Sequence, residues 1–384
     1  GVMAFFFQAI FTWSEPLMTL IENGVAELQR LVADTMDDGV VQNFVTNALL
    51  GGVGSVIVFL PQILILNVMI VVLEECGYLA RAAFLIDRFM GVFGLQGRSF
   101  IPLLGSFACA IPGIMSARII PNYRDRMATI LAAPLMTCSA RLPVYALIIS
   151  AVVPATTVWG GFGLQGIVMS ALFVAGALSG LLLALVLKRT MFRGGVVPFL
   201  MEFPPYRLPS LRSLGIGVIH RAKDFLTTAG TVILAFSIAL WILTELPRAD
   251  VSSDMTEIQA SQHQLEQSFA ADIGRSIQSV FEPLGFDWRI TLGILGSYAA
   301  RETFVGVMGQ IYAADVREDD VSLRTTLRSR LSLGTGLAIL AFYVYSLQCI
   351  STMAVMKRET GSWKWPTISF VVLFFLAYLS AFIV

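Results

Sequence analysis

Charge is what this sequence has least of. Aspartate, glutamate, lysine and arginine make up 14% of its 384 residues, where a water-facing domain carries roughly 25%. The 26 basic side chains balance the 26 acidic ones, and a net charge of zero excludes a nucleic-acid binder that works through bulk basic charge. Histidine is nearly missing: His220 and His263 stand in polar stretches, with no cysteine or carboxylate at metal-ligand spacing, and read as solvated. The four cysteines, Cys76, Cys109, Cys138 and Cys349, are too scattered for a disulfide framework. No phosphate-binding Gly-x-x-x-x-Gly-Lys-Ser/Thr, His-Glu-x-x-His, Cys-x-x-Cys or nucleophile elbow occurs. An enzyme is therefore not expected. No cleavable signal peptide precedes the apolar segments, and both ends fall inside apolar runs, so both are expected to be cut.

What is abundant is apolar surface, at 56% of residues. A helix needs about 20 apolar residues to cross a bilayer. Charge-free runs cover 44–73, 164–187, 225–244, 333–356 and 366–384. Three more are broken: 99–117 by Pro102, Gly105, Pro112 and Gly113, 127–150 by Arg141 between Pro134 and Pro143, and 290–314 by Arg301 and Glu302. Residues 1–13 resemble the remainder of a truncated span. The expectation is an all-α polytopic membrane protein of about eight helical segments, since lipid offers backbone groups no other partner short of a closed barrel.

Lysine and arginine set the orientation. The acid-rich stretches 14–41 and 247–288 are expected as outer loops and the basic stretch 188–224 as cytoplasmic. Both flanks of 99–117 are basic, so that segment is expected to be re-entrant, which is tolerated only where it is buried in protein or lines a wet cavity.

A repeat is visible. Tyr78-x-Ala80-Arg81-x-x-Phe84 matches Tyr298-x-Ala300-Arg301-x-x-Phe304, and Cys109 with Arg118 matches Cys349 with Arg358. Two related halves joined at roughly 150–225 suit a transporter, whose site lies at broken helices between repeats.

Ionisable groups at membrane depth are costly and persist when paired or beside water. Glu74 and Glu75 end a 30-residue apolar run. They either mark the cytoplasmic end of a helix or place one carboxylate in a cavity. Arg301 and Glu302 pair with each other, pair across the repeat interface, or line a path. Cys109 sits in Ala108-Cys109-Ala110-Ile111-Pro112-Gly113, where proline frees a carbonyl of the preceding turn. Local carbonyls, the thiol and the Met115 thioether there form a mixed sulfur and oxygen set suited to a borderline or soft transition metal. Cys138 lies similarly before Arg141-Leu142-Pro143.

Over nearly its whole length the chain resembles the FeoB-type ferrous iron transporters. The resemblance rests on Phe59-Leu60-Pro61-Gln62, Leu73-Glu74-Glu75-Cys76-Gly77-Tyr78, Gly94-Leu95-Gln96-Gly97-Arg98, Cys138-Ser139-Ala140-Arg141-Leu142-Pro143 and, most specifically, Phe199-Leu200-Met201-Glu202-Phe203-Pro204-Pro205-Tyr206. It implies two Gate modules around a central segment. The divisions are 1–43, a truncated first helix and outer loop; 44–150, the first Gate module; 151–225, the FeoB-type segment with a cytoplasmic amphipathic stretch; and 226–384, the second Gate module and last helix.

It further implies uptake of Fe2+ across the bacterial inner membrane. Cys109, Cys138 and Glu75 are the expected ligands, with Met115, Cys349 and Glu74 secondary, while Arg81, Arg301 and Glu302 hold helices in place. GTP and Mg2+ would act only through a cytoplasmic GTP-binding domain missing here, with small accessory proteins as further partners and homo-oligomerisation open. The family's usual Leu-Glu-Asp-Ser-Gly-Tyr reads Leu73-Glu74-Glu75-Cys76-Gly77-Tyr78 here, and its Gly-Cys-Asn-Val-Pro reads Ala108-Cys109-Ala110-Ile111-Pro112, so the ligand set either is richer in sulfur or takes its oxygen from another residue. The alternative is a carrier for another divalent metal or a nucleoside-like solute.

Overall fold

The structure is a computed structural model. It describes residues 2–36, 39–58, 60–154, 156–159, 162–194, 211–247, 263–264, 266–298, 301, 303–312, 327–328, 331–347 and 349–384. The described elements are helical apart from one small antiparallel hairpin, Thr157–Trp159 with Phe162–Gly163. Five helices among the described residues are long and apolar enough to cross a membrane: Val40–Gln62, Tyr123–Val152, Leu164–Thr190, Leu333–Thr360 and Lys364–Ile383. They fall on five of the eight expected segments. The remaining apolar runs form shorter helical elements: Phe100–Ala108 with Ala110–Ser116, Trp288–Ser297 and Thr303–Tyr312, and Thr231–Glu245, which continues from the helix before it.

One stretch expected as a loop is a helix. Val2–Thr35 runs unbroken through Pro16 and most of the acid-rich segment. Glutamate, leucine and alanine are strong helix formers, and an acidic composition says nothing against a helix. The amphipathic stretch Leu211–Phe225 likewise continues through a π-helical turn, Leu226–Gly230, into Thr231–Glu245.

The chain folds as two compact units. The first comprises Gly1–Ala133, Leu181–Trp241 and Ala354–Gly361, and the second Pro134–Gly180, Ile242–Met353 and Ser362–Val384. In the first, Lys188 at the end of Leu164–Thr190 reaches Asp125 Oδ1 at 2.5 Å, with both side chains almost completely buried. Arg118 grips Glu359 through two bonds of 2.6 and 2.7 Å. The second unit is centred on aromatic packing. Phe281, Phe342 and Phe374 meet edge to face at centroid distances of 6.0–6.1 Å, within the favourable range for such pairs.

The segment expected to be re-entrant doubles back. Phe100–Ala108 and Ala110–Ser116 pack against each other, with Cys109 in extended backbone between them (φ −155°, ψ 132°). Gly113 makes the close approach possible. A Cβ there would stand 2.1 Å from Ser106 Oγ and 2.8 Å from both Pro102 O and Ser106 N. Backbone atoms cannot step aside, so Gly113→Ala is expected to destabilise the protein by about 1–3 kcal/mol, read as a lower unfolding temperature in detergent. Gly91→Ala, where nothing lies within 4 Å, is the control expected to leave it unchanged.

Candidate functional site

Helices break where cysteine, glycine and proline interrupt them, and all four cysteines, none of them in a disulfide, lie at or beside such breaks. In the first unit, Leu60–Glu75 ends at the two glutamates. Gly77 then adopts a left-handed turn (φ 77°), and Tyr78–Val92 begins. Arg81 Nη1 donates to Gly77 O at 3.0 Å, so this arginine closes the break that precedes it. Cys76 Sγ donates to Leu73 O at 3.4 Å. The helical backbone of Glu74 and Glu75 is defined, but their side chains lie outside the described ones. Cys109 marks the tip of the doubled-back hairpin. Its carbonyl accepts from Gly113 N at 3.3 Å, and Met115 lies half-buried on the returning helix.

In the second unit three breaks meet. The first, around Cys138, falls between the 3-10 turns Ala133–Leu135 and Ser139–Arg141. The second follows Trp288–Ser297 and contains Tyr298 and Arg301. The third separates Leu333–Tyr345 from Ile350–Thr360 and contains Ser346 and Cys349. Each pair is joined by a hydrogen bond. Arg301 Nη1 donates to Cys138 Sγ at 2.8 Å, Arg141 Nη2 to Ser346 O at 3.2 Å, and Ile350 N to Tyr298 O at 3.1 Å.

Arg141 is wholly buried and also reaches Pro134 O at 3.2 Å and Leu135 O at 3.5 Å. It serves carbonyls that the broken helices leave unpaired, as buried polar groups require. Gly176 lets Leu164–Thr190 lie against this junction: a Cβ there would stand 2.3 Å from Thr137 Oγ1.

Sequence reasoning brought Cys138, Cys349 and Arg301 forward as separate candidates, and the structure brings them to one junction. It places Cys109, Glu74, Glu75 and Met115 in the other unit. Arg301 was expected to pair with Glu302, to pair across the repeat interface or to line a path; Glu302 lies outside the described residues, and one described partner of Arg301 is the Cys138 sulfur. Arg141 had a signal, a charge between two prolines in an apolar run, yet no role was assigned to it. The Asp125–Lys188 pair had none, since its members lie 63 positions apart.

Among the described residues no three histidine, cysteine, aspartate or glutamate side chains gather as a metal cage. The chemistry on offer is one sulfur at a time with unwound carbonyls. At Cys138 that sulfur already faces a buried cation. A divalent ion on the same sulfur would lie about 4 Å from the guanidinium, a repulsion of several kcal/mol at an effective dielectric near 20.

Comparison with known proteins adds the following. The family described as "Gate: Nucleoside recognition" matches residues 56–152 and 226–363, and "Ferrous iron transport protein B C terminus" matches 169–221. A protein of Leptospira interrogans named Fe(2+) transporter FeoB is 43% identical over 394 residues, covering all of this chain and 56% of the relative. A Campylobacter jejuni protein of the same name is 33% identical over all of this chain and 61% of its own length. A Porphyromonas gingivalis fusion of Fe(2+) transport protein A with Fe(2+) transporter FeoB is 36% identical, again over all of this chain and 48% of the relative. The chain thus spans about half the length of the curated relatives it matches. No solved structure matches.

Proposed function

The chain belongs to the family of FeoB-type ferrous iron transport proteins, and from that premise we propose that it forms the multi-pass membrane part through which Fe2+ crosses a bacterial inner membrane. The observation that supports this most is the junction of three helix breaks in the second unit, with Cys138 and Cys349 on two of them. The hairpin tip at Cys109 repeats the theme in the first unit. Irregular backbone at membrane depth is tolerated where it lines a cavity or is buried in protein. Its carbonyls with sulfur suit iron better than sodium, calcium or magnesium.

Transport also needs ligation weak enough to release the ion, and single sulfurs provide that. Cys109 and Cys138 are the principal stops, Met115 and Cys349 secondary ones, and Glu75 beside Glu74 the carboxylate at the inner mouth. Control comes from a cytoplasmic GTP-binding domain, and the fused Porphyromonas relative supports a small accessory partner.

Anaerobic Fe2+ binding to the purified chain tests this, beside Cys109→Ala and Glu75→Gln. Saturable binding is expected, weakened at least tenfold in each variant, the usual scale for disturbing a metal site. Equal binding in all three removes both residues from the pathway.

One observation favours the nucleoside-like alternative. A cleft of about 450 Å³ is lined by Gln29, Gln42, Asn43, Thr46 and Asn47, and Trp241 Nε1 donates to Asn43 Oδ1 at 2.9 Å. Amides of this kind pair with base edges. Calorimetric binding of a nucleoside, lost in Asn43→Ala and indifferent to Cys109→Ala, would establish that reading.

A further inference from the structure

The contact between Arg301 and Cys138 is out of place in a cation pathway. Cys138 is 7% exposed and Arg301 3% exposed, and the two lie 163 positions apart in sequence. The fold therefore brings a buried positive charge onto a sulfur it otherwise offers at a helix break. Arg141, wholly buried, belongs to the same junction. Arg141 donates to three carbonyls, and Arg301 donates to the sulfur.

We propose that Arg301 is a selectivity-determining residue: its guanidinium occupies the Cys138 sulfur as a tethered cation, and only an ion that bonds strongly to sulfur displaces it. In the exchange the N–H···S contact breaks and the metal–sulfur bond forms, and any proton on the thiol leaves to water. Magnesium and calcium, which prefer oxygen ligands, gain too little from sulfur to displace the arginine and pass it by. Ferrous iron, a borderline ion, gains enough to enter. It is then pushed onward, because the displaced cation remains tethered nearby and returns to the sulfur. The same contact thus opposes both wrong ions and tight trapping of the right one. Arg141 holds the neighbouring carbonyls and keeps Cys138 facing Arg301. This rests on the iron pathway proposed above and assigns its selectivity to one side chain.

The experiment is an anaerobic Co2+ titration of the purified chain, read by sulfur-to-cobalt charge-transfer absorption in the near ultraviolet. Wild type, Arg301→Gln, Arg301→Lys, Cys138→Ala and the double variant Arg301→Gln/Cys138→Ala are compared. Arg301→Gln removes the charge and is expected to lower the half-saturating Co2+ concentration for the Cys138-dependent band by roughly tenfold or more, the scale on which partners of a metal ligand act. Arg301→Lys keeps a cation and is expected to stay near wild type. In both variants that lack Cys138 only the absorption carried by the remaining cysteines is expected to persist. Excess Mg2+ is expected to leave the wild-type titration unchanged. Should Arg301→Gln fail to fold, Arg301→Met, which keeps the aliphatic stem, takes its place.

A Cys138-dependent band with the same midpoint with and without Arg301 overturns the inference. So does a band indifferent to Cys138→Ala, while leaving a sulfur pathway through Cys109 or Cys349 standing. No sulfur band in any protein overturns the sulfur pathway itself, and the inference with it.

Discussion

Cys109→Ala is expected to lower anaerobic uptake of radioactive iron by roughly 10- to 100-fold in cells that rely on the intact transporter. The residue sits at the turn between two short helices packed on each other, in extended backbone that alanine adopts without strain. Its side chain is half-buried, so removing one sulfur leaves little cavity, and the expected cost in folding is about 1 kcal/mol. The unfolding temperature should therefore move by only about 2–4 °C. A loss of flux at preserved stability assigns the sulfur to the pathway. Cys109→Ser refines the result: a hydroxyl keeps the shape but is a harder ligand, so intermediate flux is expected. Uptake at the wild-type level in Cys109→Ala would remove the residue from the route of the ion.

Lys188→Met is expected to destabilise the protein by about 3–5 kcal/mol, because it leaves the Asp125 carboxylate buried without its cation. Asp125 is wholly buried and Lys188 is 6% exposed. The Lys188 stem also packs over Gly94, where an added Cβ would stand 3.3 Å from Lys188 Cβ. Replacing both members by apolar residues behaves differently. A buried ion pair scarcely repays its own desolvation, so Asp125→Leu/Lys188→Met is expected to be near neutral or even stabilised. The two single variants and the double one form a thermodynamic cycle, read by unfolding in detergent. If the single variants lose nothing, or if their losses simply add in the double, the pair does not hold the end of Leu164–Thr190 to the first unit.

Much of this was legible beforehand, and particular residues show why. The hairpin at Cys109 was foreseen from Pro102, Gly105, Pro112 and Gly113, because proline removes a donor and glycine admits close backbone approach wherever they occur. The break at Cys138 follows from Pro134, Arg141 and Pro143, and the one at Arg301 from the adjacent charges Arg301 and Glu302 in an apolar run. The helix Val2–Thr35 covers an acid-rich stretch that composition alone assigns to a loop, although its propensities favour a helix. Among the described residues, five of the expected segments form helices long and apolar enough to cross a bilayer. The block from Phe199 to Pro209, the strongest sign of family, and the Glu302 side chain lie outside the described residues.

The sequence by itself determined the class of molecule, its helical build and the positions at which helices are interrupted by sulfur. These depend on runs of apolar residues and on proline, glycine and cysteine, whose effects are felt within a turn or two of the chain. Only the tertiary structure decided which group each buried charge meets: Lys188 with Asp125, Arg141 with the Ser346 carbonyl 205 positions away, and Arg301 with Cys138. A charge buried away from water must find a partner. Which partner it finds depends on how distant segments pack, and no local pattern in the chain encodes that.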